Sequence, residues 1–221
     1  GQADAMAREP ALDELCRNYW YPIYAYIRRL GRSPHDAEDL TQGFFAKLLD
    51  KNFVAAAERE KGKFRTFLLT AVKRFLANEW DRANRKKRGG HATHLSLDWA
   101  QADQRYQVDP ADALSPDRLY DRAWAVTLLE RVLVRLRQEN AAEGKSAAFE
   151  ALKPFLTVGK SAIPYSEVAK TLAITEEAAR VAVHRLRRRY RALLRDEVAQ
   201  TLSHPGQVEE EMRALLEAFA G

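Results

Sequence analysis

Between Arg180 and Arg195 the chain carries seven arginines and no acidic residue. Between Lys61 and Arg88 it carries ten cations against two anions, Glu79 and Asp81. Guanidinium forks pair bidentately with phosphate and with the two acceptors of guanine, so these clusters suit a nucleic-acid polyanion. Together the two segments hold +15 on a chain whose net charge is +5, which leaves an acidic remainder of −10. Two separate basic segments on an acidic remainder predict two places where one polyanion is gripped. The first segment also carries Phe64, Phe67, Phe75 and Trp80. Rings beside cations suit opened strands, because bases stack on the rings while cations hold phosphates. The three phenylalanines share one helical stripe and read as core; Trp80 lies off it.

Other chemistries find little support. The five histidines are His35, His91, His94, His184 and His204, and only His91 and His94 are close. No carboxylate stands near that pair at metal-ligand spacing, so no metal is expected. No Gly-rich phosphate loop and no Ser-His-Asp arrangement is visible, so no catalytic residue and no cofactor is expected. Cys16 stands alone, which excludes an intrachain disulfide framework and a Cys-based zinc module.

The second basic segment is positioned by a helix-turn-helix pattern over residues 165–189. Val168, Ala169 and Leu172 pack a first helix, and Ile174 plugs the corner. Thr175 caps a second helix with Ala179, Ala182, Val183 and Leu186 as its core face. The remaining face carries Arg180, His184, Arg185, Arg187 and Arg188, the composition of a major-groove reader. Ala173 stands where the turn favours glycine. Either a left-handed alanine costs about 1 kcal/mol there, or the turn has another geometry.

The first segment lies on one long helix. Phe64, Phe67, Leu68, Ala71, Val72 and Phe75 recur at steps of three and one, which places them on one face. Before it, Leu12 to Leu30 reads as a helix with a kink at Pro22, ended by Gly31. Ser33-Pro34 starts another, striped by Ala37, Leu40, Phe44, Phe45, Leu48 and Leu49. Gly89 to Leu114 shows no sustained period and reads as an interdomain linker that lies against something through Leu95, Leu97, Trp99 and Tyr106. Ser115-Pro116 repeats the helix-start signal. A last piece has Val208, Met212, Leu215, Leu216 and Phe219 inside and Glu209, Glu210, Glu211 and Glu217 outside. The expected fold is all-α: two helical domains joined by a flexible linker, the second containing the helix-turn-helix.

With 221 residues, 46% of them hydrophobic, the chain can build packed cores. Its longest apolar run near the start, Tyr19 to Ile27, is far shorter than the roughly 18 residues a membrane span needs. No membrane insertion and a reducing, cytoplasmic location are expected.

The order of these motifs is specific. Asp36-Ala-Glu-Asp-Leu-Thr-Gln42, then Phe44-Phe45, then Phe64-Arg-Thr-Phe-Leu-Leu69 with Asn78 to Arg88, a linker and a basic helix-turn-helix resembles a bacterial sigma factor. Among these it is similar to the extracytoplasmic-function, two-domain subgroup. The resemblance covers roughly residues 12–88 and 116–195. It implies a non-catalytic chain that binds core RNA polymerase, directs it to promoter DNA and helps open the duplex. It assigns Asp36, Asp39, Leu40, Gln42 and Phe45 to polymerase binding. It assigns Lys63, Arg65, Lys73, Arg74, Asn78, Arg82 and Arg85 to the minus-ten element, and Arg180, His184, Arg185 and Arg188 to the minus-thirty-five element. The implied domains are a region 2 domain over 1–90, a linker over 91–115, a region 4 domain over 116–200 and an acidic extension over 201–221. An anti-sigma factor or other regulatory partner has a place in such a scheme. The rival reading is a stand-alone helix-turn-helix regulator, which leaves the first domain without a role. The acidic extension follows the +7 helix and is expected to fold over it and mute DNA binding.

Overall fold

The computed structural model describes residues 19–48, 63–85, 98–108, 114–157, 163–202 and 204–219. The protein is all-α, and among the described residues no strand is present beyond one isolated bridge between Lys63 and Leu202. Two compact units form: Gly1–Thr127 together with Thr201–Gly221, and Leu128–Gln200.

In the first unit, α1 covers residues 19–29 and is helical on both sides of Pro22. Gly31, at φ +84°, ends it with a left-handed turn that suits glycine. Helix α2 (Pro34–Leu48) starts where expected. The Asp36 amide donates to Ser33 Oγ at 3.1 Å, and Ser33 Oγ donates to the Asp36 carboxylate at 2.7 Å. Helix α3 (Phe64–Arg85) buries Leu68, Ala71, Val72 and Phe75, four of the six stripe residues. Phe75 meets Phe44 edge-on at 5.7 Å, so the α2 and α3 stripes close one aromatic core.

Helix α4 (Trp99–Val108) lies inside the segment expected to be a linker that rests against something. Trp99 packs on Trp20 at 5.2 Å and on Tyr24 at 5.8 Å, and Ala102 is buried. Asp103 accepts from Tyr24 Oη at 3.1 Å and from Arg28 Nε at 3.2 Å. Burial, then the hydrogen bond to Asp103, pushes the Tyr24 phenol from 10.0 up to about 12. The folded state therefore holds its proton more tightly than the unfolded chain. Stability is unaffected by this group's titration below pH 10 and is lost as pH rises from there through about 12, where the folded chain must ionise a buried phenol. Tyr24→Phe is expected to cost about 1 kcal/mol at neutral pH and to flatten the alkaline loss of stability between pH 10 and 12, measured by urea unfolding across pH.

Helix α5 (Pro116–Ala142) is capped by Ser115, whose Oγ accepts from the Arg118 amide at 3.3 Å. Its first part belongs to the first unit, where Leu119, Tyr120, Ala123 and Trp124 are buried.

The second unit contains the rest of α5, then α6 (Ser146–Leu152), α7 (Pro154–Thr157), α8 (Tyr165–Thr171) and α9 (Glu176–Gln200). Val132, Leu136, Phe149, Phe155, Val183 and Leu193 are among its core. Its buried acid, Glu197, is paired with Arg131 at 3.2 Å and Arg135 at 3.4 Å. Back in the first unit, a short 3-10 turn (Pro205–Gln207) leads into α10 (Val208–Glu217).

Candidate functional site

Three surfaces carry the expected residues. The first is a cleft of about 310 Å³ between α2 and α3, lined by Arg32, Asp36, Asp39, Leu40, Leu76, Glu79 and Trp80. Asp36 and Asp39 are exposed and Leu40 is half-buried, so the three stand together on an open acidic wall. Trp80 is 57% exposed, and the Arg32 guanidinium sits 5.3 Å from its ring centroid. Leaving Trp80 off the core stripe agrees with this exposure. Gln42 and Phe45 do not join the wall. Gln42 is buried beside Glu38, and Phe45 is fully buried against Phe44 at 5.3 Å. Both pack inward, because α2 turns that face toward the core. Arg32, Leu76 and Trp80 join this wall beyond the expected residues; the seven- and four-residue steps from Leu69 to Leu76 to Trp80 are the signal that finds the last two.

The second surface is α3. Its basic start is occupied by acids of the same unit. Lys63 Nζ lies 2.9 Å from Glu210 and 3.0 Å from Glu211. Arg65 Nε donates to Glu211 Oε1 at 2.9 Å, and Arg65 also pairs with Asp121 and stacks over Trp124 at 4.7 Å. Glu211 is only 1% exposed. Burial opposes the charge of Arg65, but its hydrogen bond to Glu211 and the charges of Asp121 and Glu211 outweigh it and hold the guanidinium above its ordinary value. Burial likewise opposes the Lys63 charge, and hydrogen bonds to Glu210 and Glu211 raise it. Lys73 donates to Asp117 at 2.6 Å, which holds its ammonium above the ordinary value. Arg74 and Asn78 are exposed further along the helix. Arg82 and Arg85 belong to its last turn, and their side chains lie outside the described residues, as do Lys61 and Lys86 to Arg88.

These pairings correct two expectations about the tail. Helix α10 belongs to the first unit and meets the start of α3 there, where the tail was expected to cover the basic helix α9. Its inner face is Val208, Glu211, Met212 and Leu215, while Leu216 is 67% exposed and Phe219 is also exposed. Glu211 turns inward because two cations await it there.

The third surface is α9. Thr175 Oγ accepts from the Ala178 amide at 3.1 Å, the expected cap. The turn before it carries Ala173 at φ +52°. The Ile174 amide bonds back to Ala169 and the Ala173 amide to Lys170, the pattern that normally takes glycine. The left-handed alanine is thus the alternative realised, at about 1 kcal/mol. Ile174 is 38% exposed and does not plug the corner; that tight turn points it outward. Arg180, His184, Arg185 and Arg188 are all exposed, at steps that share one broad face, and Val181 is exposed beside them. Arg180 rests near Glu176 at 3.7 Å and over the Tyr165 ring at 5.6 Å. Arg187 leaves this face: its Nε and Nη2 donate to the Phe155 carbonyl at 3.0 and 2.7 Å. Arg189 forks onto Glu139 at 2.8 and 2.7 Å, which lowers the Glu139 carboxyl below its ordinary value.

Among the described residues no cluster of three or more metal-ligating side chains occurs, and no helix is long and apolar enough to cross a membrane. His91 and His94 lie outside the described residues. Residues 16–86 match the Sigma-70 region 2 family. No curated protein and no solved structure gives a significant match to the chain. The region 2 match supports a sigma factor, and with it binding of RNA polymerase and recognition and melting of promoters.

Proposed function

We propose that the chain is a two-domain sigma factor of the extracytoplasmic-function type, acting in the cytoplasm without catalysis of its own. Residues 1–90 serve as region 2, residues 91–115 connect, and residues 116–200 serve as region 4. Asp36, Asp39 and Leu40, with the adjoining Trp80 cleft, dock on core RNA polymerase. Helix α3 engages the minus-ten element through Lys63, Arg65, Lys73, Arg74, Asn78, Arg82 and Arg85. Helices α8 and α9 act as a helix-turn-helix that reads the minus-thirty-five element through Arg180, His184, Arg185 and Arg188. The observation that carries the reading is the region 2 match over residues 16–86, on the helices that hold the acidic wall and the basic stripe. The open arginine face of α9 supports the second contact.

The test is transcription in vitro. Core polymerase with this chain is expected to give promoter-specific transcripts that core alone does not; equal output from both rejects the reading. Arg185, exposed in the middle of its face, supplies a sharper measurement. Arg185→Ala is expected to weaken binding to the upstream element by about 1–3 kcal/mol and to relax preference at one base pair. Unchanged affinity and unchanged preference assign the reading to another surface.

A further inference from the structure

The start of a helix offers free amides and a positive dipole end, and here Lys63 and Arg65 add two charges to it. One short stretch of the same chain engages an amide there and both charges, with Asp121 also on Arg65. The Phe64 amide donates to the Thr201 carbonyl at 3.1 Å, beside the isolated bridge of Lys63 with Leu202. Glu210 and Glu211 then take the two cations, and Leu215, buried one turn beyond Glu211, seats the helix. A carboxylate that forks onto Arg65 and a second that meets Lys63 present the same acceptor chemistry as two neighbouring backbone phosphates.

We propose that α10 is an internal competitor of nucleic acid: it holds Lys63 and Arg65 in the free protein and must leave for a sugar–phosphate backbone to take them. The proposal rests on the reading of α3 as a nucleic-acid face. The competitor is of limited strength by construction. It is ten residues long, a length at which a helix is marginal once detached. Glu210 remains mostly exposed, so one of the two carboxylates is open to displacement by a stronger polyanion. Release uncovers both cations together, because Glu210 and Glu211 are adjacent on one helix; Lys63 is freed, and Arg65 keeps only Asp121 as a carboxylate partner.

The experiment uses the full chain and a 20-nucleotide single-stranded oligodeoxynucleotide, followed by fluorescence anisotropy across salt. Glu210→Gln with Glu211→Gln removes both charges and keeps the side-chain shapes. The double variant is expected to bind about tenfold more tightly than the natural chain. Its dependence of log K on log salt is expected to steepen by about 1.4, the signature of two added phosphate contacts on a single strand. Glu210→Gln alone, at an exposed position, is expected to give a smaller gain in the same direction and guards against misfolding of the double variant. In the natural chain, saturating oligonucleotide is expected to strip hydrogen-exchange protection from the amides of 208–217. Unchanged or weaker binding by the Gln variants overturns the proposal. So does protection of α10 that persists with oligonucleotide bound, or absence of oligonucleotide binding in every variant. The transcription assay separates this from the functional reading. Tighter binding with no promoter-specific transcript keeps the competitor and rejects the sigma factor. Promoter-specific transcription with no change in the Gln variants does the reverse.

Discussion

Arg65→Ala is expected to destabilise the first unit by about 3–5 kcal/mol, the usual result of removing one partner from a buried ion pair. Glu211 would keep only Lys63 while staying almost wholly out of water. Asp121 would lose its guanidinium, and Trp124 would lose the cation over its ring. Urea unfolding followed by tryptophan emission measures the loss cleanly. All four tryptophans, Trp20, Trp80, Trp99 and Trp124, belong to the first unit, so the signal reports that unit alone. Arg65→Met combined with Glu211→Leu is expected to regain most of the loss, because two apolar groups leave no charge stranded. A loss below about 1 kcal/mol for Arg65→Ala would mean that the pair is solvated and that α10 is loosely held.

Phe45→Ala is expected to cost about 3–5 kcal/mol by the same measurement, since it opens a cavity against Phe44 in a closed aromatic core. Polymerase binding should fall only as far as the folded fraction falls. Asp39→Asn provides the contrast. Asp39 is exposed and its ion pair is with His35 at 3.4 Å, so stability should move by no more than about 0.5 kcal/mol. Binding to core polymerase, measured by co-migration or by anisotropy, should nevertheless weaken. Equal effects of both variants on binding at matched folded fraction would return Phe45 to the contact surface.

Much of this architecture was legible in the residues themselves. Ser33-Pro34, Ser115-Pro116 and Thr175 mark helix starts by local chemistry, and each capping hydroxyl lies three residues from the amide it satisfies. The α3 stripe was legible because helical periodicity is also local. What stayed hidden depended on partners far along the chain. Trp99, Ala102 and Tyr106 repeat at steps of three and four, yet three anchors in ten residues are too few to stand out from a polar segment. Glu211 reads as solvent-facing until Arg65 is known to stand opposite it, 146 residues away. Arg187 shares composition with Arg185 and Arg188, and only the nearness of the Phe155 carbonyl removes it from the open face. Gln42 and Phe45 sit in a motif that resemblance assigns to a partner, while the burial of their side chains follows from how α2 rolls onto α3.

The seal between Thr201, Glu210 and Glu211 and the start of α3 also orders events on the ribosome. The first unit is discontinuous: its last residues are synthesised only after the whole of Leu128–Gln200 has been made. The second unit, continuous in sequence, can therefore complete its core first, although it begins later. Until the segment after Gln200 emerges, Lys63 and Arg65 stand without Glu210 and Glu211 in the nascent chain. The turns that neutralise this basic surface leave the tunnel only after the whole second unit has.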